Sequence, residues 1–283
     1  MKNILIIGKN SYLAKCFARR LTQCGSYHFD MISARDEGWQ KTDYSVYDSV
    51  VIFSGIVHRK EKKADSELYY SVNSELASAI CEKAKIGGAK QLVFMSTMSV
   101  YGTSSGIITS DTPENPDSLY GKSKLSGEKR VSAQGCDGFS VAIVRPPMVY
   151  GKGCSGNYAR LSALVKKLPF FPQIENKRSM IYEENLSEFL RLLCESQKGG
   201  TYFPQNAEFV CTSKMAQRIC LESDKKFRDT KIFNPLICLL AKYAATFEKL
   251  FGTLCYEKSM SQTDFGDYNI VGFEESIRIC ERG

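Results

Sequence analysis

The chain has 283 residues, 43% hydrophobic and 24% charged, with a formal net charge of +7, the profile of a globular protein with room for one large α/β unit and a smaller lobe. No apolar stretch approaches the ~20 residues of a membrane span, the run from Ile4 to Ile7 is too short for a signal peptide, and no nucleic-acid signature or low-complexity segment is present. Eleven scattered cysteines without a Cys-x-x-Cys pair, and only two histidines, argue against a disulfide framework or zinc site, so the expectation is a cytoplasmic protein with reduced thiols and no metal.

Residues 3–7 are an apolar, β-branched run that predicts a buried parallel strand. The turn Gly8-Lys9-Asn10-Ser11 follows, then a helix over 12–24 with Leu13, Phe17 and Leu21 on one face. Residues 27–34 and 48–54 predict the second and third strands, the latter around Val50, Val51, Ile52 and Phe53. Residues 64–85 have helical periodicity through Leu68, Val72, Leu76 and Ile80. Residues 90–96 predict a fourth strand, 118–134 a helix and 140–145 a fifth strand. This alternation predicts an α/β fold with a doubly wound parallel sheet.

After Pro146-Pro147, loops, shorter helices and aromatics take over, as at Leu168-Pro169-Phe170-Phe171-Pro172. The expected division is a first domain over 1–150 and a smaller lobe over 151–283, with 184–200 returning to the first. Phe233, Leu236, Ile237, Leu240, Tyr243, Ala244, Phe247 and Leu250 form a helical stripe, expected to pack on the lobe or a second copy, with a membrane surface as the alternative.

The segment Tyr120-Gly121-Lys122-Ser123-Lys124 carries the chemistry. On a helix, Tyr and Lys four apart share a face. A lysine charge beside a phenol favours the phenolate, which makes a general base nearer neutral pH. The hydroxyl-rich strand end Met95-Ser96-Thr97-Met98-Ser99-Val100-Tyr101-Gly102 precedes it, and the nucleotide-type turn at Gly8 opens the chain. Together these motifs resemble the extended short-chain dehydrogenase/reductase family, the NAD-dependent epimerases and dehydratases, and within it the UDP-sugar 4-epimerases and 4-reductases. The resemblance covers nearly the whole chain. It implies a Rossmann-type sheet with a smaller C-terminal substrate-binding lobe, and a catalytic set of Thr97, Tyr120 and Lys124.

It also implies an NAD or NADP cofactor. The family's Gly-x-x-Gly-x-x-Gly turn is here Gly8-Lys9-Asn10-Ser11-Tyr12-Leu13-Ala14, so Ser11 and Ala14 stand in for two glycines. Gly8, Asn10, Ser11, Tyr12 and Leu13 are the implied pyrophosphate contacts. On the residues alone, a strand-turn-helix with Ser11 as N-cap is the competing reading. The second strand ends Ile32-Ser33-Ala34-Arg35-Asp36, with Ser33 where an acid is expected. Arg35 suits a 2′-phosphate and leans toward NADP, while Asp36 keeps ribose binding open. Ser54, Gly55, Ile56, Asn73, Tyr120, Lys124 and Pro147 are further implied cofactor contacts. For the substrate, a UDP-sugar, the resemblance implies Thr97, Ser99, Asn157 and a pyrophosphate-binding Arg178. Ser96 competes with Thr97 for the reacting oxygen.

Three functions stay open: a UDP-hexose 4-epimerase, an NADPH-dependent 4-keto sugar reductase for polysaccharide synthesis, and a non-catalytic NADP-binding sensor. The dehydratase reading is weaker, because Thr97 is followed by Met98 and Ser99 instead of an acidic pair. A homodimer is a common arrangement of the family; no nucleic-acid partner is expected.

Overall fold

A single parallel sheet of six strands organises the computed structural model, which describes residues 1–56, 63–230 and 251–283. The strands are β1 (Lys2–Ile7), β2 (Tyr27–Ile32), β3 (Ser49–Ile52), β4 (Gln91–Met95), β5 (Ser140–Val144) and β6 (Gly200–Tyr202), in the order β6-β5-β4-β3-β1-β2. Every neighbouring pair is parallel. Side chains alternate between faces along a strand, so each apolar run feeds two cores. Ile4, Ile6, Val51 and Val93 face α1 (Tyr12–Cys24) and pack with Phe17 and Leu21. Leu5, Ile7, Val50, Ile52, Leu92 and Phe94 face the other way, onto Ala77, Ile80, Cys81 and Ala84 of α2 (Leu76–Ile86).

The helix leading into α2 departs from the periodicity read in the sequence. Leu68, expected on the buried face, is 46% exposed, and Tyr69 and Asn73 are buried instead. The cause is a π-turn over Ser71–Glu75, between the α-helical segment Ser66–Tyr70 and α2. Its wider winding rotates the preceding residues relative to α2.

Tyr120 and Lys124 sit on α3 (Leu119–Ser132), whose N-cap Ser118 accepts a bond from the Gly121 amide at 3.0 Å. Helix α4 (Glu183–Ser196) packs on the α1 face through Leu186, Phe189, Leu190 and Leu193. Arg19 pairs with Glu183 at 2.8 Å and Arg20 with Glu188 at 2.7 Å. With β6 as the sheet's outer strand, residues 183–202 are built into the sheet half of the molecule.

The rest of the C-terminal part is assembled from small parallel pairs. Met148–Tyr150 pairs with Met180–Tyr182, Phe171–Pro172 with Asp229–Thr230, and Gly106–Ile108 with Leu254–Tyr256. A third core of Tyr150, Tyr158, Leu161, Met180, Tyr182, Met215 and Ile219 holds it together, closed by the helix Phe273–Arg282 through Ile277. The stripe from Phe233 to Leu250 lies outside the described residues. Among those described, no helix is long and apolar enough to cross a membrane.

Candidate active site

Three consecutive residues at the end of β4 are each held by a different side chain of α3. Lys124 donates to the Met95 carbonyl at 2.9 Å. Glu128 accepts from the Ser96 hydroxyl. Tyr120 is hydrogen-bonded to the Thr97 side chain. Tyr120, Lys124 and Glu128 are spaced four apart and are only 9%, 3% and 4% exposed, a polar stripe on the buried side of the helix.

Ser96 and Thr97 have different surroundings. Ser96 is buried and committed to Glu128, whereas Thr97 is half-buried and faces Tyr120. Thr97 Oγ1 also accepts from the Ser99 amide at 3.1 Å and donates to Ser99 Oγ at 3.2 Å, which brings Ser99 beside the pair.

The electrostatics correct one expectation. Burial pushes the Tyr120 phenol up to about 12; its bond to Thr97 opposes this and nearby Tyr69 adds to it. The Lys124 ammonium is turned onto Met95 and lies 4.6 Å from the Phe94 ring centroid, so the lysine-assisted phenolate read from the spacing is not formed in this geometry. Burial lowers Lys124 to about 8, against the opposing charge of Glu128.

Glu128 is itself locked. Arg145 Nε donates to its two oxygens at 3.0 and 3.2 Å, Nη1 donates to the Tyr101 hydroxyl at 2.9 Å, and Nη2 pairs with Glu128 and Glu114. A buried charge survives only when paired in this way.

At the chain's first turn, Gly8 has φ +113°, and a Cβ there would lie 2.9 Å from the Ser54 amide nitrogen. Only glycine fits both constraints. The Gly8 and Lys9 amides donate to the Ile32 carbonyl at 2.9 and 3.0 Å. Ser11 occupies the N-cap position, but its side chain makes no capping bond, and the first turn of α1 holds no acid. The first-turn amides at Tyr12 and Leu13 therefore remain open to an anion, as helix N-termini are. Tyr12 Oη donates to the Lys152 carbonyl at 2.9 Å and ties the turn to the loop after Tyr150. Lys9 and Asn10 are exposed.

At the end of β2, Ser33 Oγ accepts from the Arg35 amide at 3.0 Å, and Asp36 Oδ1 from the Gly38 amide at 3.0 Å. Arg35 is exposed and has no ion pair among the described residues. Asn73 is fully buried: its Oδ1 accepts from the Ile56 amide at 2.9 Å, and its Nδ2 donates to Ser123 Oγ at 3.0 Å. It clamps the Ser54-Gly55-Ile56 loop to α3. A Cβ on Gly55 would meet Lys124 Nζ at 3.0 Å, so this loop lies directly on the ammonium. Pro147 is buried beside Pro146, whose carbonyl accepts from Met98.

These residues fit a dinucleotide. Lys124 has three donors and one acceptor, with no carboxylate ion pair among the described residues, which leaves donors for ribose hydroxyls. Arg178, in the C-terminal part, is similar. It is half-buried, its Nη1 donates to the Gly252 carbonyl at 2.8 Å, and it has no carboxylate partner among the described residues. Burial lowers its pKa. Asn157 is exposed, at the first position of the helix Asn157–Lys167. Neither Arg178 nor Asn157 shares a hydrogen bond with the Tyr120 cluster among the described residues.

The model of the NAD dependent epimerase/dehydratase family matches residues 4–203. The chain belongs to that family. It is 29% identical over 194 residues to the UDP-glucose 4-epimerase of Vibrio cholerae, a match covering 65% of this chain and 57% of that protein. The chain thus spans little more than half the length of that relative. In fold it is similar to a UDP-glucuronic acid 4-epimerase from Bacillus cereus solved with NAD, at a TM-score of 0.75 and 18% identity over 98% of this chain and 96% of that one. It is also similar to a dTDP-4-dehydrorhamnose reductase from Clostridium acetobutylicum, at a TM-score of 0.74 and 19% identity over 98% of each chain.

Sequence pattern does not single out Glu128, Arg145 or the buried side chain of Tyr101. A signal for Glu128 exists: it continues the four-residue spacing of Tyr120 and Lys124, and a third polar residue in that phase lies on the same face.

Proposed function

We propose that the chain is an NAD(P)-dependent nucleotide-sugar 4-epimerase acting on a UDP-hexose. The observation that carries this reading is the buried set of Thr97, Tyr120 and Lys124, in which a phenol and a hydroxyl meet beside an ammonium with unused donors. Gly8, Asn10, Ser11, Tyr12 and Leu13 would hold the dinucleotide's pyrophosphate, and Ser54, Gly55, Ile56 and Pro147 would line its path to Lys124. When bound, the nicotinamide supplies the acceptor and donor of hydride at C4. Tyr120 takes the proton of the 4-hydroxyl as the C4–H and O–H bonds break and the ketone forms. It returns that proton when the ketone is reduced on its other face. Thr97 holds the reacting oxygen throughout, with Ser99 near the sugar, and Lys124 holds the ribose. Arg178 and Asn157 would bind the diphosphate and sugar from the C-terminal part, so residues 1–150 with 184–200 serve the cofactor and the remainder of 151–283 the substrate. The similarity to the Vibrio cholerae epimerase supports this assignment.

One observation favours a second reading, an NADPH-consuming 4-keto sugar reductase. The end of β2 presents no carboxylate free of local bonds, while Arg35 stands exposed and unpaired among the described residues. An arginine there suits a 2′-phosphate. Incubation with a panel of UDP-hexoses, with and without NADPH, tests both. An epimer formed without net cofactor change supports the first, and stoichiometric NADPH loss on a 4-keto sugar supports the second. Cofactor binding without turnover of any nucleotide sugar defeats both and leaves a sensor. Loss of NADP preference on Arg35→Ala is the expected companion result.

A further inference from the structure

The hydroxyl of Tyr69 is buried and has no hydrogen-bond partner among the described residues, in a side chain only 1% exposed. A buried polar atom left unsatisfied costs stability, and a phenylalanine would fill the same space without that cost. The helix carrying Tyr69 and α3 run side by side in the same direction. Asn73 bonds Ser123 at 3.0 Å, Ser74 meets Ser126 at 2.9 Å, Ser78 accepts from Gln134 at 3.0 Å, and Lys85 reaches the Gln134 carbonyl at 2.9 Å. Partner numbers rise together along both helices. One turn back from the Asn73–Ser123 pair, the register sets Tyr69 level with Tyr120. The Ser66–Tyr70 segment packs directly on α3; the upward push that Tyr69 gives the Tyr120 phenol is the repulsion of a charged Tyr69, whereas its neutral O–H is a donor.

We propose that Tyr69 is a positioning residue for Tyr120, holding an O–H in reserve that donates to the Tyr120 oxygen once that oxygen has lost its proton. The proposal rests on the acid/base reading of Tyr120. A neutral Tyr120 is bonded to Thr97. Its phenolate gains acceptor capacity in a buried place, where an anion is tolerated only if donors reach it. One Lys124 donor is spent on Met95 and the others are those left for ribose hydroxyls, so the donor assigned to the phenolate is the unspent one of Tyr69. The deprotonation is balanced: the proton leaves Tyr120 for solvent before catalysis, and Tyr69 keeps its own while sharing it.

Tyr69→Phe tests this. The variant removes one oxygen and is expected to fold with an unchanged or higher Tm. The tyrosinate absorbance of the protein loaded with NAD⁺ is titrated, and subtraction of the Tyr120→Phe trace isolates Tyr120. In Tyr69→Phe the Tyr120 midpoint is expected to rise by roughly one to two pH units, the scale of a hydrogen bond to a charged group. With a substrate found in the sugar-nucleotide panel, kcat at neutral pH is expected to fall about tenfold or more with KM unchanged. An unmoved midpoint in a folded variant overturns the role of Tyr69 while leaving Tyr120 in place. Full turnover by Tyr120→Phe overturns the acid/base reading itself, and this proposal with it.

Discussion

The end of β4 and the surroundings of Arg178 solve the same problem, holding a cation largely out of water, in different ways. At β4, α3 grips Met95, Ser96 and Thr97 one by one through Lys124, Glu128 and Tyr120, and Arg145 ties the grip to Tyr101 and Glu114. Arg178 has one carbonyl, at Gly252, and its backbone rests on isolated bridges to Val210 and Leu254. The first arrangement fixes atoms against each other through long elements of the central sheet. The second can be altered without moving that sheet. Changes at the β4 end should therefore reach turnover and stability together, and changes at Arg178 should reach substrate affinity alone.

The largest effect expected is from Tyr120→Phe, a loss in kcat of roughly 10²–10⁴-fold, the range for a general acid/base group. Cofactor affinity, followed by protein fluorescence, should stay near that of the unaltered protein. Turnover within a few-fold of normal would move the chemistry away from α3 and dissolve the comparison.

Glu128→Gln keeps an acceptor for Ser96 but removes the charge that Arg145 is built around. Breaking a buried pair in this way is expected to cost about 3–5 kcal/mol in urea denaturation. A loss below about 1 kcal/mol, the worth of an exposed pair, would show that the brace is not what holds the strand end.

Lys124 sharpens the comparison through pH. Its folded pKa is depressed to about 8 from an ordinary 10.5. Below the lower value both folded and unfolded chains carry the proton, and the fold bears the full cost of a buried ammonium. Between the two values only the unfolded chain is charged, so stability of the cofactor-free protein rises with pH, by at most about 3 kcal/mol from this group. Tyr120, raised to about 12, contributes in the opposite sense only above its ordinary value of 10. The Lys124→Met variant should therefore be more stable than the parent near neutral pH, with the difference shrinking as pH climbs. A constant difference across that range would place the lysine's titration elsewhere.

Arg178→Ala is expected to be the mildest. It should raise the KM for a nucleotide sugar about ten- to a hundredfold, the worth of one or two charge-assisted bonds to a diphosphate. Tm and kcat should hardly move. Arg178→Lys should recover part of the loss, because a point charge cannot make the paired contact. A fall in kcat or Tm would mean that the two regions are mechanically joined.

Local pattern carried most of the sheet into view. The apolar runs at β1, β3 and β4 have no other reading than buried parallel strands, and Tyr120 and Lys124 announce themselves by spacing. What local pattern cannot show is which charged residue is inside. Glu128 and Arg145 look like solvated side chains until the fold brings β5 beside β4, which makes their pairing a property of topology. The direction of the Lys124 ammonium was also misread, because a four-residue spacing fixes the face of a helix and not the acceptor a long side chain will choose. Asn73, implied as a cofactor contact, also holds the backbone of the loop implied to be another, a link that spacing along the chain does not reveal.

The π-turn over Ser71–Glu75 acts as a phase shifter. Each residue of an α-helix advances the face by about 100°, so one surplus residue lets two halves of a single rod obey two different clocks. The later half keeps Ile80, Cys81 and Ala84 in time with the sheet. The earlier half keeps Tyr69 and Asn73 in time with α3. Excising a single residue from the turn would resynchronise the rod and leave the core intact, yet swing the phenol and the amide together away from α3. Packing and chemistry are thus tuned independently along one helix, and a length change of one residue there should silence turnover while the protein still melts as a folded domain.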